Sequence, residues 1–141
     1  MTPLGATISD DSSSGMRPAW DGVRVLVVDD EPAIRDLLAE ILRDQGLMVD
    51  VAGDGNAALV LAAQTSYALV LLDLNLPGMD GRMCMSRLRG LHPDLRVLVV
   101  TGFDPKGGHG EGLEAADGVL TKPFDLRALR RMVSLALSAR R

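Results

Sequence analysis

Between Val23 and Thr121 five short, β-branched apolar runs alternate with segments whose apolar residues fall at helical spacing. The runs are 23–28 (VRVLVV), 47–52 (LMVDVA), 68–73 (ALVLLD), 95–100 (LRVLVV) and 118–121 (GVLT). Near-continuous apolar runs of this length suit strands covered on both faces. In 32–45, Ile34, Leu37, Leu38, Ile41 and Leu42 form one helical stripe, and Pro32 suits the first turn. Segment 54–65 is an Ala-rich helix with Asp54 as candidate N-cap. Segment 82–91 carries Met83, Met85, Leu88 and Leu91, and 125–139 runs Leu126, Leu129, Met132, Val133 and Ala136 at the same spacing. Strands alternating with helices imply a parallel sheet with helices on both faces. The expected fold class is therefore α/β, a doubly wound (βα)5 domain on a five-stranded parallel sheet.

At 141 residues and 47% hydrophobic, the chain has material for one domain with a real core. Residues 1–21 are rich in Ser, Asp, Gly and Pro without periodicity. We expect a flexible tail there, with Trp20 docking loosely, and the folded domain over 22–141. A net charge of −4 supplies no basic field to draw the protein onto nucleic acid or an anionic membrane. No apolar run approaches the roughly eighteen residues of a span, and the first twenty residues lack a signal peptide's pattern. The single cysteine, Cys84, can form neither an intramolecular disulfide nor a zinc site by itself, so we expect a reducing cytoplasm.

In open α/β sheets, ligands bind beyond the carboxyl ends of the strands. On that edge this sequence collects polar groups. Asp29 and Asp30 follow the first run, Asp73 ends the third, Thr101 follows the fourth and Lys122 follows the fifth. Carboxylates gathered at one place repel one another unless a cation neutralises them. An all-oxygen set, with no paired His or Cys, suits a hard ion such as Mg²⁺. Asp73 has a second available task, because a carboxylate can take a phosphoryl group covalently. Lys122 offers a compact positive charge and Thr101 a hydroxyl donor, both suited to phosphate oxygens.

With these residues placed, the sequence resembles the receiver domains of two-component response regulators, which are CheY-like and share the flavodoxin-like fold. The motifs are "VLVVDDEP" at 25–32, "LVLLDLNLPGMDG" at 69–81, "VLVVTGF" at 97–103 and "LTKPF" at 120–124. The resemblance implies that Asp73 accepts a phosphoryl group from a sensor histidine kinase or phosphotransfer protein. It also implies that Mg²⁺ is held by Asp29, Asp30, Asp73 and the backbone carbonyl of Asn75, and that Thr101 and Lys122 contact the phosphoryl group. In the family the bond before the equivalent of Pro123 is usually cis, and the only catalysis is of the domain's own phosphorylation and dephosphorylation. We read Glu31 as structural, opposing the dipole of the helix that follows it.

Two departures from the family pattern stand out. Receivers usually carry Tyr or Phe three residues before the lysine, and here that residue is Val119. The segment "DPKGGHGEGLEAADG" at 104–118, where the family has its fourth helix, holds four glycines between 107 and 112. At roughly 1 kcal/mol per helical glycine, that helix should be short or disordered, with one turn near 111–116 and 104–110 mobile. We read His109 as a solvated loop residue, and Met83, Cys84 and Met85 as helix packing. Arg127, Arg130, Arg131, Arg140 and Arg141 read as a solvated, dipole-compensating helix end, not a nucleic-acid surface. The chain ends at Arg141 directly after the last helix, so we expect a stand-alone receiver, a monomer or weak dimer, with output by contact with a downstream protein or by phosphorelay. Three rivals are a phosphate-independent binding module, an aspartate-nucleophile phosphatase of the haloacid dehalogenase type, and a receiver cut from a hybrid kinase. The phosphatase wants a second Asp where this chain has Asn75.

Overall fold

A computed structural model of the chain describes residues 20–102 and 115–138. The strands are β1 (Arg24–Val28), β2 (Met48–Ala52), β3 (Leu69–Leu72), β4 (Arg96–Thr101) and β5 (Gly118–Thr121). The described helices are α1 (Pro32–Asp44), α2 (Gly55–Gln64), α3 (Gly81–Leu91) and α4 (Leu126–Ser138). All strand pairings are parallel, in the order β2-β1-β3-β4-β5. This is the expected doubly wound α/β fold, and its order reverses between β1 and β3, where such sheets open a ligand crevice. The expectations for His109, for mobility over 104–110, and for most of the tail and of the turn at 111–116 fall outside the described residues.

The period-two geometry of a strand divides the apolar runs between two cores. Leu26, Val28, Val70, Leu72, Val97 and Val99 face one side, with Ala58, Ala62, Cys84, Met85 and Leu88 of α2 and α3. Val25, Val27, Leu69, Leu71, Leu98 and Val100 face the other, with Leu38, Leu42, Leu129 and Val133 of α1 and α4, and Trp20 packs half-buried at its margin. The helix starts follow local chemistry. Pro32 opens α1. Asp54 caps α2 by accepting from the Ala57 amide at 2.7 Å, and Asp80 caps α3 by accepting from the Arg82 amide at 2.9 Å.

Not every apolar residue on the expected helical stripes is covered. Leu37, Met83 and Leu91 are 46%, 48% and 45% exposed. Leu37 and Met83 sit one residue, about 100° of helical turn, from Leu38 and Cys84, which face the sheet. Met83 is therefore a surface residue and not a packing one, whereas Cys84 and Met85 are buried as expected.

The loop leaving β3 is closed by a contact that admits no side chain. The Gly81 amide donates to the Leu74 carbonyl at 3.2 Å, and a Cβ on Gly81 would lie 2.4 Å from Leu74 Cα. At the opposite, amino end of the sheet, the Tyr67 hydroxyl donates to Asp50 Oδ2 at 2.6 Å. Burial, then the Asp50 carboxylate, push the Tyr67 phenol up to about 12.

Gly81→Ala should lower the urea midpoint by an amount worth about 2 kcal/mol, as overpacking against backbone does. Tyr67 is the only tyrosine, so absorbance at 295 nm reads it directly. A folded pKa raised from 10 to about 12 means that stability is intact below pH 10 and is lost as pH rises toward 12. Tyr67→Phe should abolish that alkaline loss.

Candidate functional site

The strands that carry the site residues stop on one edge, and the backbone at Asp29, Asp73 and Lys122 is fixed by a ladder bond that continues just past each strand. The Asp29 amide donates to the Ala52 carbonyl at 3.1 Å, Asp73 to Val28 at 3.0 Å and Lys122 to Thr101 at 2.8 Å. Asp29 and Asp73 are buried, at 1% and 4% exposure, while Asp30 and Asn75 are exposed. Thr101 is the last residue of β4 rather than the first beyond it, and Asp73 lies one residue past β3.

Lys122 ties the edge together. Its Nζ donates to Asp29 Oδ2 at 2.9 Å, Asp73 Oδ2 at 3.0 Å and Glu31 Oε1 at 3.3 Å. The remaining oxygens of the two buried carboxylates are also satisfied. Asp29 Oδ1 accepts from the Glu31 amide and Asp73 Oδ1 from the Asn75 amide, both at 2.9 Å. The bond between Lys122 and Pro123 is cis. Burial raises the Asp29 carboxyl above its ordinary value, although the Glu31 amide and Lys122 pull it back. Burial opposes the Lys122 ammonium, yet its hydrogen bonds to Asp29 and Asp73 outweigh that and raise its pKa.

Two features make this more than a structural ion pair. One oxygen each from Asp29, Asp30 and Asp73 lies within 4.8 Å of the others, a donor set of the kind a hard cation takes. The Thr101 hydroxyl is fully buried and has no hydrogen-bond partner among the described residues. Buried hydroxyls are ordinarily paired, so an unpaired one at a ligand edge is a donor held in reserve.

The structure thus brings Asp29, Asp30, Asp73 and Lys122 to one place, with Thr101 and Asn75 on the same edge. Glu31, expected to be structural at the start of α1, also touches this cluster. Its side chain makes no capping bond to α1 and reaches Lys122 instead. The available signal was its place as the third acid in the run Asp29, Asp30, Glu31. Val119 is half-buried against the core shared with α2 and α3, and Phe124 packs half-buried on the opposite core.

Comparison with known proteins assigns this fold and acidic edge to one family. The family model for the response regulator receiver domain matches residues 25–134. The chain is 39% identical over 105 residues to a probable transcriptional regulatory protein, TcrX, of Mycobacterium tuberculosis, covering 74% of this chain and 45% of TcrX. It is 42% identical over 108 residues to the response regulator MprA of Mycolicibacterium vanbaalenii, covering 76% and 47%. Among solved structures, the response regulator TrrA of Thermotoga maritima, in complex with Mg²⁺–BeF, superposes with a TM-score of 0.74 at 34% identity, over 82% of this chain and 99% of TrrA. A CheY-like receiver domain of Methanospirillum hungatei gives 0.76 at 30% identity, over 82% and 94%. The chain belongs to the response regulator receiver family of two-component signalling. It spans a little under half the length of the curated relatives it matches. Among the described residues no helix is long and apolar enough to cross a membrane.

Lys122→Ala would leave Asp29 and Asp73 buried together without their cation. We expect a loss of about 2 kcal/mol in urea unfolding at neutral pH without divalent metal. Burial already raises the Asp29 carboxyl and Lys122 pulls it back, so without Lys122 its folded pKa lies further above its unfolded one and its penalty grows as pH rises. The deficit should therefore shrink as pH falls toward 5, and shrink again when Mg²⁺ is added.

Proposed function

We propose that Asp73 accepts a phosphoryl group from a histidine kinase or a histidine phosphotransfer protein, with Mg²⁺ held by Asp29, Asp30, Asp73 and the backbone carbonyl of Asn75. The observation that carries this reading is the Lys122 ammonium shared by two buried carboxylates, beside a cluster of three carboxylate oxygens. The donor set fits the ion: oxygen only, with a net negative charge and exposed Asp30 at the open side. The Mg²⁺–BeF complex of TrrA supports the same assignment by similarity.

In this reading an Asp73 carboxylate oxygen attacks phosphorus while the bond from phosphorus to the donor breaks, and the donor leaves with that electron pair. Phosphoryl transfer asks mainly for positioning and for neutralisation of the equatorial oxygens. Bound Mg²⁺ would supply part of that neutralisation. The Asn75 amide orients the Asp73 carboxylate through Oδ1, Lys122 turns from Asp73 to a phosphoryl oxygen, and the Thr101 hydroxyl donates to another. Water then hydrolyses the acyl phosphate and returns Asp73. The protein works in the cytoplasm, as a monomer or weak dimer, and its phosphorylated state is read by a downstream partner. A second reading, a binding module indifferent to phosphate, draws on Val119, which puts no ring where receivers usually carry their reporting aromatic.

Intact mass decides between them. With Mg²⁺ and acetyl phosphate the protein should gain one phosphoryl group, about 80 Da for an aspartyl phosphate. The gain should vanish without Mg²⁺ and in Asp73→Asn. Protein that gains no mass from either acetyl phosphate or phosphohistidine donors would favour the binding module.

A further inference from the structure

Glu31 stands at the N-cap position of α1, where a side chain ordinarily accepts from the first amides of the helix, yet it makes no such bond. Its own amide is tied to Asp29 Oδ1 at 2.9 Å. Its side chain, 62% exposed, instead meets the Lys122 ammonium at 3.3 Å from 91 positions away in sequence. Lys122 therefore has two buried anionic partners and one at the open rim of the pocket. Resting on the phosphorylation reading above, we infer that Glu31 is a positioning residue: its carboxylate restrains Lys122 at the rim, competes with the phosphoryl oxygens for it, and so selects against small anionic phosphodonors arriving from solution.

The physical basis is competition for one cation. With Asp29 and Asp73 engaged by a divalent ion, Glu31 is the carboxylate left to hold the ammonium back from an incoming phosphoryl group. The same charge repels a free anionic donor at the entrance, an effect that salt screens. A phosphohistidine carried on a docked protein arrives with further contacts that offset this repulsion. A small donor has none.

Two readouts on the full chain test this. The chain has only one other lysine, Lys106, which serves as an internal reference. In metal-free protein, acetic anhydride labelling followed by peptide mass analysis should modify Lys122 about two- to fivefold faster in Glu31→Gln than in the parent, with Lys106 unchanged, the range an exposed ion pair allows. In Mg²⁺ with acetyl phosphate, Glu31→Gln should phosphorylate faster by a similar factor at low salt, with the ratio falling toward one near 1 M salt, where screening is nearly complete. Glu31→Asp, which keeps the charge but shortens the reach, should match Glu31→Gln in the labelling experiment. Unchanged Lys122 labelling in Glu31→Gln would overturn the positioning role. A phosphorylation ratio of one, or one indifferent to salt, would overturn the donor selection. Absence of any adduct in both proteins, from acetyl phosphate and from a phosphohistidine donor alike, would instead sink the phosphorylation reading and the donor selection with it, while the labelling would still judge the hold on Lys122.

Discussion

Two carboxylates buried side by side are tolerable in this protein because one ammonium lies between them. Desolvation and mutual repulsion push Asp29 toward its neutral form, and the Lys122 hydrogen bonds oppose both. A buried ion pair of this kind contributes little net stability compared with an apolar core, since both charges lose their water. Its value lies elsewhere. It holds β1, the end of β3 and the end of β5 in one electrostatic unit.

That arrangement needs the sheet. A parallel sheet sends all its carboxyl ends to one edge, and the order β2-β1-β3-β4-β5 sets β1 and β3 side by side there. Residues 44 positions apart, Asp29 and Asp73, thereby share an ammonium. The two apolar cores keep the strands rigid beneath the site, and the Gly81 amide bound to the Leu74 carbonyl closes the loop that follows Asp73. The site residues occupy the first one to three positions beyond their strands or the last position within them.

Much of this was legible without coordinates because the signals were local. β-branched runs with two-sided burial gave the strands to within a residue or so, and the Asp54 cap and the Pro32 start marked two helices. The outward turn of Leu37 and Met83 was not legible, because an apolar residue at helical spacing does not say how wide an arc the neighbouring sheet covers. The partner of Glu31 was not legible for a related reason. A short-range argument, an acid beside a helix start, was correct in form, but a partner 91 positions away won the side chain.

The sequence by itself determined the alternation of strands and helices, the parallel sheet, and the identity of the acids, the threonine and the lysine at the strand ends, because periodicity and turn chemistry act between near neighbours. Only the tertiary structure decided which of those groups meet. Distances of about 3 Å from one ammonium to carboxylates on Asp29, Glu31 and Asp73 depend on strand order and on which chain segments pack together. So does the burial that leaves the Thr101 hydroxyl without a partner among the described residues. Those are long-range facts, set by how the whole chain excludes water, and no local pattern encodes them.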